Sequence, residues 1–295
     1  MPERGIESAA SRTADITCGY RAASSMESNP HFRSGDWVAG LLLPRKLQLL
    51  FRFPPARRLL IRMLGPRGMY EWVIARTRYV DAIFECASSA GFVQVLLLGA
   101  GFDSRAIRFQ SAMRRLSIFE LDAATTQNAK IEQFRKRSIG IPDNLRFVAI
   151  NFEKENLGQR LQEAGFIQGA KTLVLMEGVL QYLAPDAVYA TLETIMDHVG
   201  NGSWLVFDYA HASALRGEGG GRDERQVTKK LAGFRESWQF GLAEKEVEPL
   251  LAKFGFKLLD LKHPRDLEEA YFKDARGRIV GHVNNTQSII MAERR

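Results

Sequence analysis

Cysteine is scarce: Cys18 and Cys86 are the only two in 295 residues. Neither stands in a CxxC or a Cys/His cluster. That pattern excludes a disulfide framework and gives no support to a thiolate metal site, so two free thiols in a reducing compartment are expected. No run of 18 apolar residues occurs, so no membrane span is expected. The polar start from Met1 to Ser11 has none of the apolar stretch of a secretory signal, and a cytoplasmic location is expected. Negative charge is missing from one stretch altogether. Between Trp37 and Tyr70 there is no Asp or Glu, whereas Arg45, Lys46, Arg52, Arg57, Arg58, Arg62 and Arg67 supply seven positive charges, equal to the net charge of +7. The rest of the chain is near neutral, so this is one basic element in an ordinary globular mixture. No recognised nucleic-acid-binding module accompanies it, and nucleic acid is not an expected partner.

What is present reads as an N-terminal helical part followed by alternating strands and helices. Residues 1–35 look irregular or partly helical. From Val38 to Leu64, Pro44 and the Pro54-Pro55 pair break the apolar pattern into two short amphipathic helices with basic outer faces. Val73, Thr77, Val80 and Phe84 recur at helical spacing within Met69–Ser88. Strands are then expected at 93–98, 116–121, 145–150, 172–176, 204–207, 257–261 and 288–292, with helices at 103–109, 124–137, 157–165, 185–199 and 244–254. This alternation predicts an α/β fold: a doubly wound, mostly parallel, seven-stranded Rossmann-like sheet. Residues 1–88 form a helical cap in front of it, and 89–295 the sheet domain. The stretch Gly217-Glu218-Gly219-Gly220-Gly221 reads as a loop that could lie near a substrate.

In such a sheet, ligands bind outside the carboxyl ends of the strands, so the loops there carry the chemistry. After the first strand comes Gly99-Ala100-Gly101, where glycine allows close backbone approach and positive φ. A dinucleotide fingerprint would place a third glycine at the sixth position; Ser104 stands there instead, which counts against a nicotinamide-dependent oxidoreductase. The second strand ends in Glu120-Leu121-Asp122, 21 to 23 residues beyond Gly99, where a carboxylate can accept hydrogen bonds from ribose hydroxyls. Asp122 is favoured over Glu120 for that role. After the third strand, Asn151 suits an adenine amino group and Phe152 a ring face. After the fourth, Glu177 can face an ammonium group. A cofactor with an amino-acid tail also needs a base for its carboxylate, and Arg76 or Arg78 could supply it. Arg78 and Arg105 read more naturally as structural ion-pair or capping residues.

These motifs resemble the leucine carboxyl methyltransferase family, with its bacterial relatives among polyketide O-methyltransferases. The likeness rests on Leu98 to Arg108 (GAG, a hydrophobic residue, Asp, then an Arg-bearing helix), on Glu120-x-Asp122, on Glu177 to Leu183 and on Ala75-Arg76. It implies S-adenosylmethionine as cofactor and methyl transfer to a carboxylate or hydroxyl of a small molecule. It further implies that Gly99, Ala100 and Gly101 line the methionine part, Arg76 holds the carboxylate, Leu121 and Asp122 meet the ribose, Asn151 and Phe152 flank adenine, and Glu177 faces the ammonium. Arg21 matches an N-terminal basic residue that meets the cofactor. Relatives usually carry Asp where Asn151 stands.

A carboxylate acceptor needs no base at neutral pH, whereas a phenol with a pKa of about 10 benefits from one. Tyr182, Tyr209 and His211 are the candidates, the last two expected just after the fifth strand. No metal site is expected. A cofactor-binding regulator without turnover is the non-enzymatic alternative. The basic element suits an acidic substrate, an acidic carrier protein or a membrane surface. Its apolar members (Leu47, Leu49, Leu50, Phe51, Phe53, Leu59, Leu60, Ile61 and Leu64) read as a helix pair covering the cleft, which favours the first two.

Overall fold

The computed structural model describes residues 11–218, 221–231 and 238–295. The polar start from Met1 to Ser11 therefore falls largely outside the described residues, as do Gly219 and Gly220 of the glycine-rich stretch. Five helices precede the first strand: α1 (Arg12–Ser25), α2 (Trp37–Leu42), α3 (Arg45–Phe51), α4 (Pro54–Leu64) and α5 (Met69–Ala87). There follow β1 (Gln94–Leu98), α6 (Arg105–Arg108), α7 (Gln110–Met113), β2 (Ser117–Asp122), α8 (Ala124–Lys136) and β3 (Leu145–Ala149). Next come α9 (Leu157–Glu163), β4 (Thr172–Met176), α10 (Pro185–His198), β5 (Trp204–Ala210), α11 (Ala212–Arg216) and α12 (Arg222–Leu231). The chain closes with α13 (Glu244–Lys253), β6 (Phe256–Lys262), α14 (Pro264–Tyr271) and β7 (Gln287–Arg294).

The seven strands form one sheet in the order β3-β2-β1-β4-β5-β7-β6. The first five are parallel, and β7 runs antiparallel between β5 and β6. Side chains alternate across the sheet. Val95, Leu97, Ile118, Leu175 and Val206 pack with α1, α2 and α5 on one face, while Leu96, Leu98, Phe119, Val174 and Phe207 pack with α9, α10 and α13 on the other. The chain order reverses between β1 and β4. That switch point opens a crevice at the carboxyl edge, where the first strand's loop must lie.

Three expectations need correction, and the partly helical start is made definite. Residues 12–25 form a regular helix, N-capped by Ser11, whose side chain accepts from the Ala14 amide at 3.2 Å. Cys18 to Ser24 are all buried, so α1 has no polar stripe for periodicity to reveal. The Val38–Leu64 stretch holds three helices, because Asp36 caps a separate short one: its Oδ1 accepts from the Ala39 amide at 3.0 Å. The expected helix at 103–109 is two short ones, α6 and α7, meeting at Phe109. Strand β5 continues to Ala210, which makes Tyr209 a strand residue with only 1% exposure in the core between β5 and α13. Helices α11, α12 and α14 were not expected.

The basic element also differs from expectation. Phe51 is buried and Leu60, Ile61 and Leu64 are half-buried, but Leu47, Leu49, Leu50, Phe53 and Leu59 are exposed to solvent rather than packed on the body.

Candidate functional site

The loop after β1 turns back on itself through two left-handed glycines, Gly99 (φ 65°) and Gly101 (φ 48°). A Cβ at Gly99 would sit 2.4 Å from Val179 Cγ2, and one at Gly101 would meet Ala14 Cβ of α1 at 3.3 Å. Both positions thus need glycine for conformation and for room. The Ala100 amide donates to Leu121 O at 3.0 Å, and the Gly101 amide donates to Asp122 Oδ2 at 2.5 Å. Asp122 Oδ1 accepts from the Ala123 amide at 2.7 Å. The loop is therefore fastened to the end of β2 by the carboxylate expected there. Glu120 points elsewhere, fully buried against Lys130 Nζ at 2.5 Å.

From α1 to β5 runs a chain of alternating charges. Arg21 donates through Nη2 to Phe102 O (2.7 Å), and its Nε stands 3.0 Å from Asp36 Oδ2. Arg108 connects Asp36 (3.4 Å) to Asp81 (2.6 Å). Arg105 donates to Asp81 (2.8 Å), to Asp103 and to Glu177 Oε2 (2.8 Å). Arg76 Nε lies 3.1 Å from Glu177 Oε1, and its Nη1 donates to Asp208 Oδ2 at 2.8 Å. Asp208 Oδ1 accepts from the amide of left-handed Gly178 at 2.5 Å. Burial pushes the Glu177 carboxyl up, but Arg105 and Arg76 outweigh it and hold it below its ordinary value. Burial likewise opposes ionisation of Asp103, yet Arg105, Lys130 and Arg21 bring it down to about 2. For Asp208 burial wins over Arg76, and its carboxyl is raised. The Arg105 guanidinium is charged throughout any working range, since three carboxylates outweigh its burial.

Arg76, not Arg78, is the arginine at the crevice. Arg78 stacks on the Tyr271 ring at 4.8 Å and donates to His31 O. Arg105 is the ion-pair residue expected from the sequence, and it clamps Glu177 to the loop after β1. Asp36, Asp81 and Asp208 belong to the array although none of them was expected there. The signal for Asp208 was available: one carboxylate inside the apolar strand Trp204–Ala210.

Asn151 uses its side-chain oxygen to accept from the Glu153 amide at 2.9 Å, shaping its own loop, and Phe152 packs half-buried against the α9–α10 core. Tyr182 lies on a 3₁₀ turn, Leu180–Tyr182, beside Ala210 and Trp238. His211 sits immediately past β5, its Nε2 2.8 Å from Ser288 Oγ. Burial, then neighbouring His263, lower its pKa and keep it neutral at pH 7. Burial pushes the Tyr209 phenol up to about 12.

The residues fit a cofactor bearing a ribose and an amino-acid tail. Arg21 Nε and Arg76 Nε are buried and close to carboxylates, yet neither is aligned to donate a hydrogen bond. Such donors suit an additional carboxylate. Among the described residues no cluster of His, Cys, Asp and Glu suits a metal ion.

The 3-2-1-4-5-7-6 sheet with a glycine loop after β1 and a carboxylate after β2 defines a Rossmann-like methyltransferase fold. A candidate methyltransferase from Thermobifida fusca shares it over all of this chain and 98% of its own, with a TM-score of 0.59 at 15% identity. The candidate S-adenosyl-L-methionine-dependent methyltransferase YktD of Bacillus subtilis is 26% identical over 218 residues, 71% of each chain. Another such protein, from Mycobacteroides abscessus, is 35% identical over 131 residues, 44% of this chain and 43% of that one. This chain thus spans under half the length of that mycobacterial relative. The leucine carboxyl methyltransferase profile matches residues 17–196, more than half of the chain, and the chain belongs to that family. It is an S-adenosylmethionine-dependent methyltransferase.

Proposed function

We propose that the protein is an O-methyltransferase acting on a carboxylate or hydroxyl of a small molecule, such as a polyketide or other natural product. The observation that carries this reading is the convergence of the glycine loop, Asp122 and the Arg105–Glu177–Arg76 array on the β1/β4 switch point. When bound, S-adenosylmethionine supplies a methyl group already activated on a sulfonium. The chain's own work is then alignment, which can contribute about 7–11 kcal/mol in favourable cases.

Gly99, Ala100 and Gly101 offer bare backbone to the methionine part. Leu121 and Asp122 meet the ribose, and Asn151 and Phe152 flank the adenine. Glu177 faces the ammonium, and Arg76 with Arg21 the carboxylate. For a hydroxyl acceptor, His211 is the favoured base, because its neutral imidazole can take a proton at pH 7. Tyr182 is placed to orient the acceptor. Tyr209 is the weakest of the three, its phenol buried in the core. Residues 1–88 serve as the acceptor-covering segment and 89–295 as the cofactor-binding unit. The free thiols, Cys18 buried and Cys86 exposed, fit work in the cytoplasm.

Calorimetry with S-adenosylhomocysteine tests the cofactor assignment. The wild-type protein binds, and Asp122→Ala, which removes two charge-assisted hydrogen bonds to the ribose, weakens binding about 100-fold. Unchanged affinity in that variant overturns the ribose assignment. Cell extract incubated with methyl-labelled cofactor tests turnover by mass spectrometry. A labelled ester or ether supports the O-methyl reading, and tight binding without any labelled product supports the regulator instead.

A further inference from the structure

Among the described residues, the basic element carries the densest run of exposed large apolar side chains. Helix α4 turns Arg57, Leu60, Ile61 and Leu64 toward the body, at the i, i+3, i+4, i+7 spacing of a single buried stripe. Arg57 is buried there, pairing with Glu27 at 3.3 Å and donating to Phe51 O. That stripe uses up the helix's contact with the core. A second apolar rail, Leu59 and Met63, points outward alongside a cationic rail, Arg58 and Arg62. On α3 only Phe51 is buried; Leu47, Leu49 and Leu50 are exposed together with Arg45 and Lys46. Phe53, at the tip between the two helices, is exposed next to Arg52. Leu49, Phe53, Leu59 and Met63 are each 58–68% exposed, which is far beyond scattered surface apolarity for one hairpin. Arg137 adds a cation at its base, donating to Leu43 O at 3.1 Å.

We propose that the α3–α4 hairpin seats the protein on an anionic lipid bilayer, with Leu47, Leu49, Leu50, Phe53, Leu59 and Met63 entering the headgroup–acyl boundary and the flanking Arg and Lys side chains meeting lipid phosphates. Two observations select a bilayer over an acidic protein. Charge complementarity is one: with no Asp or Glu from Trp37 to Tyr70, the hairpin itself offers an anionic plane nothing to repel, and Glu27, packed beneath it, is neutralised by Arg57. The other is the interleaving of charge and apolarity along the chain (Arg45-Lys46-Leu47, Leu49-Leu50, Arg52-Phe53, Arg58-Leu59, Arg62-Met63). Protein interfaces gather apolar side chains at a centre depleted of charge, inside a polar rim. In a bilayer, long cationic stems let each charge reach the headgroup layer while its apolar neighbour sinks below it. The hairpin also touches the site's scaffold, because Leu64 Cδ1 packs 3.8 Å from where a Cβ on Gly19 of α1 would lie.

The test is co-sedimentation of the full chain with vesicles of phosphatidylcholine alone or with about 30 mol % phosphatidylserine at low salt. Binding is expected to the anionic vesicles only, and to weaken as salt rises from about 50 mM to about 0.5 M. Arg58→Gln with Arg62→Gln weakens it roughly 25-fold, about fivefold for each cation. Leu49→Ser with Phe53→Ser weakens it roughly tenfold or more. All four residues are solvent-facing, so unchanged circular dichroism verifies that the variants fold. Lys257→Gln with Arg265→Gln, cations exposed elsewhere, leaves binding as it was. The proposal is overturned by absence of anionic-vesicle binding at low salt. It is equally overturned by a loss in the Lys257/Arg265 control as large as in the hairpin variants, by indifference to the Leu49/Phe53 change, or by the hairpin instead binding a purified acidic carrier protein while ignoring vesicles.

Discussion

Replacing Glu177 by Gln separates its structural role from its cofactor role. The side chain keeps its shape and loses its charge. In the wild type, Arg105 Nη2 donates to Oε2 at 2.8 Å, a charge-assisted bond that contributes about 1.5–3 kcal/mol. The contact with Arg76 Nε at 3.1 Å is not aligned and contributes less. Neither arginine is stranded by the change, since Arg76 keeps Asp208 and Arg105 keeps Asp81 and Asp103. The cost therefore falls near 1.5–3 kcal/mol, short of the about 3–5 kcal/mol of an abandoned buried charge. For a chain of this size that lowers Tm by roughly 3–5 °C. If Glu177 also faces the ammonium of the cofactor, Kd for S-adenosylhomocysteine rises about 10–100-fold by calorimetry. A lowered Tm with Kd unchanged would refute the ammonium role and leave Glu177 as a clamp on the arginines. The stability difference also has a pH signature. The folded value of Glu177 is depressed, so its contribution is present above the ordinary value of 4.5 and is lost as pH falls through the folded value. Urea melts of the wild type and Glu177→Gln converge in acid if this is right.

His211 and Lys130 give two further tests. Because burial and His263 lower the His211 pKa, its neutral form persists below the ordinary value of 6.5. With a hydroxyl acceptor, kcat/KM stays flat as pH drops to that value and declines only beneath it. His211→Asn removes this acid limb and about 10²–10⁴-fold of rate, and a limb that survives in the variant rules His211 out as the base. Lys130→Met leaves Glu120 buried and unpaired, costing about 3–5 kcal/mol at pH 7 by urea denaturation. Even beside Lys130, burial pushes Glu120 up to about 7. A raised carboxyl stabilises below its unfolded value and loses that contribution as pH rises, so the variant's penalty shrinks at pH 5 and grows at pH 8. A penalty that does not change with pH would contradict this account.

The sequence by itself determined what local pattern encodes. Short apolar runs placed all seven strands, most plainly β1 and β4, which are buried on both faces and leave a continuous hydrophobic signature. Backbone demands placed the glycine loop, since Gly99 and Gly101 occupy left-handed φ where side chains are strained. The motif spacing placed Asp122 and Glu177 at strand ends, and they stand there. The bounds of helix α1 were illegible because burial from Cys18 to Ser24 erases the amphipathic period, and the end of β5 because the apolar run breaks at Asp208, whose charge the distant partner Arg76 accommodates.

Only the tertiary structure decided which charges meet. Arg21, Asp36, Arg108, Asp81, Arg105, Glu177, Arg76 and Asp208 come from helices and loops far apart in the chain and from one strand, and long-range packing alone brings them into one chain of ion pairs. Likewise, one-dimensional pattern showed that α3 and α4 are apolar and basic, but not which apolar side chains the core could accept. A helix offers the body a single stripe. On α4 that stripe is full with Arg57, Leu60, Ile61 and Leu64, so Leu59 and Met63 are left facing outward.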